Sequence, residues 1–261
     1  MIILRSEAEI QKIRRACRVV AQILKQLKEH TRPGITTWDL NALSETLAHE
    51  HKAKPAFKGY HGFPFALCTS VNEEVVHGMP SKQRRLEEGD IISLDFGVVV
   101  DGYYGDAALT VPVGKISPEA VELCKVTEQS LYEGIGQAVD GNRISDISHA
   151  IQEYVEKRGY SVVRVFVGHG IGQHLHESPQ IPNYGPPGRG VKLKPGMVLA
   201  IEPMINIGRP EVAILADQWT AVTTDRRLSA HFEHTIAITQ EGPEILSAMN
   251  ETGLQKKSRN V

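Results

Sequence analysis

The chain has 261 residues, 41% of them hydrophobic and 23% charged, and a formal net charge of -2. Such a chain can bury one large core or two small ones, and its balanced charge argues against a nucleic-acid-binding protein, although a local basic patch is still allowed. No run of about 18 apolar residues occurs, and the start MIILRSEAEI lacks the charge order of a signal peptide, so neither a membrane span nor export is expected. The three widely separated cysteines favour reduced thiols and the cytoplasm: Cys17, Cys68 and Cys124.

The first predicted element is a long helix over residues 6–30. Ser6 is its expected N-cap and Glu9 completes a capping box, because each side chain can satisfy a free backbone N–H at the start of the helix. Another long helix is predicted over residues 117–139. Each of these helices starts one half of the chain.

A half-repeat follows each long helix. Residues 33–52 and residues 140–158 both run from a glycine turn into an amphipathic helix and then toward an apolar strand. This pattern predicts a pseudo-duplicated α+β domain. The two copies share one glycine-to-aspartate spacing, Gly34 to Asp39 and Gly141 to Asp146.

Runs rich in β-branched and aromatic residues supply the remaining elements. Residues 178–196 are rich in proline and glycine and are predicted to be a loop or lid. One domain is expected over residues 1–249, followed by a flexible C-terminal tail at residues 250–261. Strands are predicted over residues 65–71, 91–100, 103–111, 162–167, 197–202, 211–215, 219–223 and 232–239.

The run DIISLDFGVVVDGYYGDAALTV predicts a β-hairpin, because Asp101-Gly102 supplies the positive φ angles of a tight two-residue turn. In this register Asp95 lies opposite Ala108, and Asp106 is two residues further along on the same face. The two carboxylates are then diagonal neighbours with backbones about 5.5 to 8 Å apart, a spacing that admits two ions about 3.5 to 4 Å apart. Taken alone, Asp106 could be an ordinary turn aspartate, since aspartate is common in turns. Asp95 is harder to explain in this way, because it interrupts an apolar strand, where an unpaired charge is costly.

Three more residues that bind divalent metal well stand in compact motifs, at His169 in GHGIG, Glu202 in AIEPM and Glu233 in HFEHT. Together with the two aspartates they make a set of two Asp, two Glu and one His. This oxygen-rich set suits two adjacent divalent ions better than a single structural zinc, which favours Cys and His. The sequence therefore predicts a two-metal hydrolase.

Several long motifs resemble, in their order and spacing, those of the type I methionine aminopeptidases. They are CTSVNEEVVHGMP, LDFG with DGYYGD after it, GHGIG followed by HLHESP, AIEPM, and SAHFEHTIAIT. Long motifs in fixed order are a specific signal, and they span nearly the whole chain. The resemblance implies the α+β pita-bread fold, in which two pseudo-related halves surround a central curved antiparallel sheet. It also implies removal of the initiator methionine from nascent proteins when the next residue is small.

The resemblance assigns a role to each metal-binding residue. Asp95 is expected to bind one ion, and Asp106 and Glu233 to bridge the pair. His169 and Glu202 are expected to complete the second ion's coordination, with a bridging water as the nucleophile. Glu202 is in addition the implied proton shuttle.

Two histidines match catalytic positions of the resembled family. His77 in VVHGMP is expected to hydrogen-bond near the scissile amide, and His176 in LHESP is expected to polarise the carbonyl or stabilise its oxyanion. Both are therefore also substrate-binding residues. His61 and His231 are placed near the cleft, without a chemical role.

A small apolar pocket for the methionine side chain is implied as well, since a thioether sulfur packs favourably against aromatic rings. Leu175 departs from the aromatic residue that the family often has at this position, which predicts a slightly reshaped pocket. For a lone aromatic residue or leucine, core packing is the ordinary interpretation. By resemblance the pocket is lined by Tyr60, Phe63, Cys68, Leu175 and Trp219.

The implied cofactors are two divalent ions, which could be cobalt, manganese, iron, nickel or zinc, because oxygen and imidazole ligands accept all of these. A monovalent cation is a further implied ligand. The implied partners are nascent polypeptide N-termini and a weak ribosome contact. We expect a cytoplasmic monomer with no nucleic-acid specificity and no membrane association.

Three alternatives stay open at this point. A proline-specific pita-bread aminopeptidase or dipeptidase would use the same five ligands, but such enzymes usually carry a large extra N-terminal domain. A non-catalytic pita-bread binding protein would have lost its metal centre, whereas all five ligands are present here. A peptidase with altered substrate choice is kept open by Leu175.

Overall fold

A computed structural model describes residues 2–248, and in this range the chain forms four α-helices, one 3-10 turn and fifteen strands. The predicted tail at residues 250–261 lies outside the described residues. The helices are α1 (Glu7–His30), α2 (Thr37–Glu50), α3 (Pro118–Gly136) and α4 (Ile144–Glu156), and the 3-10 turn is Tyr60–Gly62. The strands are β1 (Lys54–Pro55), β2 (Cys68–Val71), β3 (Glu74–Val76), β4 (Ile91–Val100), β5 (Tyr103–Pro112), β6 (Ser161–Val162), β7 (Gly168–Gly170), β8 (Glu177–Ile181), β9 (Val198–Ile201), β10 (Met204–Asn206), β11 (Val212–Ile214), β12 (Ala221–Thr223), β13 (Ser229–His231), β14 (Glu233–Thr239) and β15 (Gly242–Ile245).

Helix α1 begins where its capping box predicts. The Ser6 side chain accepts the N–H of Glu9, and the Glu9 carboxylate accepts the N–H of Ser6 at 2.9 Å. The buried face of α1 packs on β4 and β5. At Gly105 in β5 an added Cβ would collide with the backbone of Ala16 and Cys17, so helix and strand come into backbone contact there.

The half-repeat is confirmed, and capping explains its spacing. Asp39 accepts the N–H of Thr36 at 3.0 Å, and Asp146 accepts the N–H of Arg143 at 2.7 Å, so each aspartate fixes the start of its helix. The preceding glycines adopt φ angles of 91° and 94°. Helices α1 and α2 contact each other, as do α3 and α4.

The principal sheet is antiparallel. Its main path runs β1-β4-β5-β14-β9-β7-β8, while β2 pairs with β4 and β15 pairs with β14. The largest apolar core contains residues of all four helices and of the central strands. Two smaller three-stranded sheets are β13-β10-β6 and β11-β12-β3. Among residues 2–248, no helix has the length and apolar character that a membrane crossing requires.

Two predicted segments differ from the structure. The strand predicted over residues 162–167 ends at Val162. Val163 is still buried, but beyond it the chain turns outward and leaves Val165 68% exposed. The loop predicted over residues 178–196 instead begins inside β8. Pro179 is tolerated there because β8 is the edge strand of the sheet, where a missing N–H breaks no ladder.

Candidate metal centre

The hairpin formed by β4 and β5 has the predicted register. Asp101 and Gly102 take φ angles of 50° and 76° at the turn, as a tight hairpin loop requires. Asp95 pairs with Ala108, and Asp106 lies two residues before Ala108 on β5. The two aspartates are therefore diagonal neighbours on one face of the sheet.

The other ligand candidates arrive on the next strands of the same sheet. In β14, Glu233 also pairs with Ala108, so Glu233 and Asp95 flank that alanine from opposite sides. Glu202 directly follows β9, the strand next to β14. His169 in β7 pairs with β9 at Ala200. One row across five adjacent strands thus carries the whole predicted set.

The side chains of this row meet. One ligand atom each from Asp106, His169 and Glu233 lie within 4.8 Å of one another, and all three residues are buried. His169 Nε2 is 3.5 Å from Glu202 Oε1 and 4.0 Å from Asp106 Oδ2. His169 Nδ1 contacts the Gly170 carbonyl at 2.9 Å, so Nδ1 is assigned the proton and Nε2 presents its lone pair to the carboxylates.

Burial sets the electrostatics of the cluster. Burial, and then the neighbouring carboxylates, raise the pKa of Asp106, Glu202 and Glu233 well above ordinary values, and burial raises the pKa of Asp95 to about 7. Burial, and then His176, lower the pKa of His169 to about 3, so this imidazole is neutral and offers no compensating charge. Without a cation that compensates their charge, these four crowded carboxyl groups are driven toward their protonated, neutral forms.

The cluster fits a bound cation. Within the described part of the chain, three carboxylate oxygens are buried and have no hydrogen-bond partner: Asp95 Oδ1, Asp106 Oδ1 and Glu233 Oε1. Buried polar atoms without partners are rare unless an ion or water satisfies them. Carboxylate oxygens with one imidazole nitrogen are a donor set that divalent first-row metals accept. The cluster can therefore hold divalent metal.

The predicted pocket residues form one apolar cluster beside these carboxylates. Phe63 and Trp219 pack edge to face with ring centroids 5.2 Å apart. Cys68 pairs with Asp95 across β2 and β4, which places this apolar cluster next to a candidate ligand. Burial raises the pKa of the Cys68 thiol, so the group stays protonated and packs as an apolar side chain. The cluster contains Tyr60, Phe63, Cys68, Leu175 and Trp219, together with Phe65 and Met79, which sequence reasoning missed.

The two predicted catalytic histidines border the same space. His77 follows β3 with a φ of 59°, a strained conformation that recurs at functional sites, and its ring lies edge-on to Trp219. His176 Nδ1 is 3.0 Å from the Tyr60 hydroxyl, and its ring centroid is 4.4 Å from that of His169. Burial lowers the pKa of His77 to about 4 and also lowers that of His176, so both are neutral near pH 7.

Sequence reasoning gave His231 no role, yet it contacts the centre. The imidazole is 1% exposed, and its Nε2 lies 3.7 Å from Glu202 Oε2. Its backbone is tied to β5, because its N–H donates to Thr110 Oγ1 at 3.0 Å and its carbonyl accepts from the same hydroxyl at 2.9 Å. Two histidines flanking Glu233 were the only local signal. Phe166, whose ring centroid is 5.3 Å from that of His77, also lies near the site, but no local sequence pattern pointed to it.

The chain is similar to known metallopeptidases along most of its length. A profile of metallopeptidase family M24 matches residues 11–240. A methionine aminopeptidase of Clostridium acetobutylicum is 54% identical over 247 residues, which cover 95% of this chain and 99% of the relative. The crystal structure of a methionine aminopeptidase from Thermotoga maritima matches with a TM-score of 0.93 at 49% identity, covering 95% of this chain and 99% of that one.

More distant structures agree on the architecture. A prolidase from Pyrococcus horikoshii matches with a TM-score of 0.78 at 23% identity, and the match covers 97% of this chain but 65% of the prolidase. Likeness at this identity concerns the fold alone. The expected α+β pita-bread fold is confirmed. The chain belongs to metallopeptidase family M24 and, within it, to the type I methionine aminopeptidases.

Proposed function

We propose that this chain removes the N-terminal methionine from nascent proteins and peptides when the following residue is small. The observation that supports this most directly is the pairing of Cys68 with Asp95, which sets an apolar, aromatic-lined pocket directly beside a cluster of metal-binding carboxylates. A methionine side chain in that pocket brings its own carbonyl to the cluster. All catalytic groups belong to one domain in this proposal.

Five residues would hold two divalent ions: Asp95 for one, Asp106 and Glu233 shared, and His169 and Glu202 for the other. When bound, the ions supply the positive charge that polarises a carbonyl and acidifies water. The unpartnered oxygens of Asp95, Asp106 and Glu233 support this assignment. Manganese, iron, cobalt, nickel or zinc would suit the donor set.

Glu202 is the proton carrier in this scheme. Its carboxyl is buried, and burial raises its pKa, so it can accept a proton from the attacking water and return it to the leaving amine. His231 Nε2, 3.7 Å from Glu202 Oε2, faces the second oxygen of this carboxylate. In this proposal Glu202 therefore both binds metal and carries the proton.

His176 and His77 act on the substrate. The Tyr60 hydroxyl lies 3.0 Å from His176 Nδ1 and is assigned as the donor, which leaves the proton on Nε2. That N–H can donate to the carbonyl oxygen as negative charge develops there. His77 would hydrogen-bond the amide that follows the methionine, and its neutral imidazole beside Trp219 supports this role.

The carboxylate-rich cluster also complements a free α-amino group, and the reaction is expected to require one. The partners in this proposal are nascent N-termini, and a cytoplasmic monomer with a weak ribosome contact is part of it.

The decisive experiment is metal-dependent release of methionine from Met-Ala-Ser, compared with Met-Lys-Ser, acetyl-Met-Ala-Ser and Ala-Pro-Ala. Rapid cleavage of Met-Ala-Ser alone is the expected result. Equal rates on Ala-Pro-Ala would instead identify a proline-specific peptidase, and no cleavage at any metal concentration would identify a binding protein.

A further inference from the structure

The segment ahead of α1 lies against the turn that carries His176. The backbone N–H of Arg5 donates to the Gly196 carbonyl at 2.7 Å, which fixes this segment to the approach to β9. The Arg5 side chain is only 2% exposed. A fully charged guanidinium at such depth is costly unless carboxylates pair with it.

Two carboxylates pair with Arg5, one from each side. Nη1 donates to Glu9 Oε1 at 3.3 Å, and Nη2 donates to Glu177 Oε2. Glu9 is fixed in turn, because its other oxygen completes the capping box of α1 with Ser6. The planar fork of the guanidinium thus connects the start of α1 to the residue directly after His176.

Glu177 also binds the backbone of the turn that precedes it, so it links Arg5 to this turn. Its second oxygen, Oε1, accepts the backbone N–H groups of Gln173 at 2.8 Å and of His174 at 3.0 Å. The carboxylate thereby closes the turn that precedes it. Leu175, a buried pocket residue, and His176 both lie inside this closed turn.

Gly172 shows how closely the guanidinium fits. A Cβ at this position would collide with Nη2, Cζ and Nε of Arg5, so the guanidinium fills the space that any other residue type would need. The Gly172 carbonyl accepts the N–H of Tyr104 at 2.8 Å, which anchors the turn to β5. The turn is therefore held at its start by a strand and at its end by Arg5.

We propose that Arg5 and Glu177 are positioning residues for His176: their buried ion pair sets the distance between the imidazole and the substrate carbonyl. This inference rests on the proposed function, because His176 is assigned its role there. A group that donates mainly to the transition state affects kcat more than KM when it is displaced. Loss of a residue that fixes the position of such a donor should likewise lower kcat more than it changes KM.

Steady-state kinetics on Met-Ala-Ser with the metal-loaded full chain test the inference. Arg5→Met should lower kcat about 10- to 100-fold, the cost of a misplacement of about 1 Å, with KM nearly unchanged. Arg5→Lys keeps the charge but cannot reach both carboxylates, so it should restore part of kcat. Glu177→Gln keeps an acceptor for the two N–H groups and should lower kcat less than Arg5→Met.

Arg14→Met is the matched control. Arg14 also lies in the N-terminal region and forms a part-buried ion pair, but with Glu244 on β15, away from the turn. We expect this variant to lose thermal stability and to keep wild-type kcat. In the double variant Arg5→Met/Glu177→Gln the loss should equal that of Arg5→Met alone, because the two residues act as one unit.

His176→Ala separates the inference from the proposed function. If His176→Ala is impaired while Arg5→Met and Glu177→Gln keep wild-type kcat, the positioning role is wrong and the proposed function stands. Wild-type kcat in His176→Ala would remove the assigned role of that histidine and the inference with it. Equal kcat losses in Arg5→Met and Arg14→Met would also overturn the inference, since a general loss of stability would explain both.

Discussion

Asp106 and Glu233 are the residues of the candidate metal centre whose loss should most reduce metal binding. Asp106 and Glu233 each contribute a carboxylate oxygen that lies within 4.8 Å of the other and of a ring nitrogen of His169. Each also has a buried oxygen without a hydrogen-bond partner. In the proposed centre each of these carboxylates is shared by both ions, so replacing either one with alanine would remove a shared ligand. We expect Asp106→Ala and Glu233→Ala to lose activity and to bind less metal than the wild type, with circular dichroism unchanged. Full metal content in Asp106→Ala, measured by elemental analysis, would contradict the bridging role.

Leu175 should tune the choice of the first residue. It is 1% exposed in the apolar cluster and has no ring, so in the proposed pocket it would leave more space than an aromatic residue. We expect slow cleavage of Leu-Ala-Ser and Phe-Ala-Ser, and we expect Leu175→Phe to increase the preference for methionine over leucine. A change of about 1 to 3 kcal/mol, or 10- to 200-fold in kcat/KM, is the scale for one methylene in such a pocket. Unchanged selectivity would show that Leu175 does not limit the pocket.

At the scale of elements, the second helix depends on its cap. Thr36 accepts the N–H of Asp39 at 3.1 Å while Asp39 accepts that of Thr36, so both free donors are satisfied. Thr36→Ala should lower the free energy of unfolding by about 0.5 to 2 kcal/mol. Thr46→Ala is the control, since Thr46 is exposed on the same helix and only bonds back to the Ala42 carbonyl. Equal losses in the two variants, measured by urea unfolding, would rule out the capping effect.

Long elements were predictable and short ones were not. The hairpin of β4 and β5 and helices α1 to α4 follow from turn residues, caps and periodicity, which act within a few neighbours along the chain. Strands of two to five residues are too short to show a period, and several of these were missed: β1, β3, β7, β8, β10, β13 and β15. Their pairing depends on partners far away in sequence.

The same distinction holds at the site. The residues that come together in the cluster could be predicted because each stands in a compact motif. The relative position of Asp95 and Asp106 could be predicted because a tight turn fixes the register. The contact of His231 with Glu202 and the ion pair of Arg5 with Glu177 could not. Both join residues that only the closed fold brings together, and no local pattern encodes them.

At the scale of the whole molecule, metal should determine how stability depends on pH. Without metal, burial raises the pKa of Asp95 from an ordinary 3.8 to about 7. At this carboxyl the folded state then binds more protons than the unfolded state, so the contribution of Asp95 to stability falls as the pH rises from about 4 to about 7. Bound cations compensate the carboxylates and should remove this loss.

Thermal unfolding with and without a chelator checks this expectation. The Tm difference between metal-loaded and chelated protein should widen from pH 5 to pH 7.5 by more than about 2 °C, the shift that about 1 kcal/mol produces in a domain of this size. Asp95→Asn, which cannot ionise, should flatten the pH dependence of the chelated protein. If the Tm difference between metal-loaded and chelated protein stayed constant from pH 5 to pH 7.5, ionisation of the carboxylates would not explain how metal affects stability.

The position of β14 in the sheet has a consequence for biosynthesis. This strand is formed by residues 233–239, near the end of the chain, yet it lies between β5 and β9 and joins the two halves. Until it has been synthesised, β5 and β9 each present an open edge that can recruit strands from other chains. Newly made molecules therefore expose these edges to aggregation until β14 has been added, and assembly of the candidate metal centre, to which Glu233 of β14 belongs, coincides with closure of those edges.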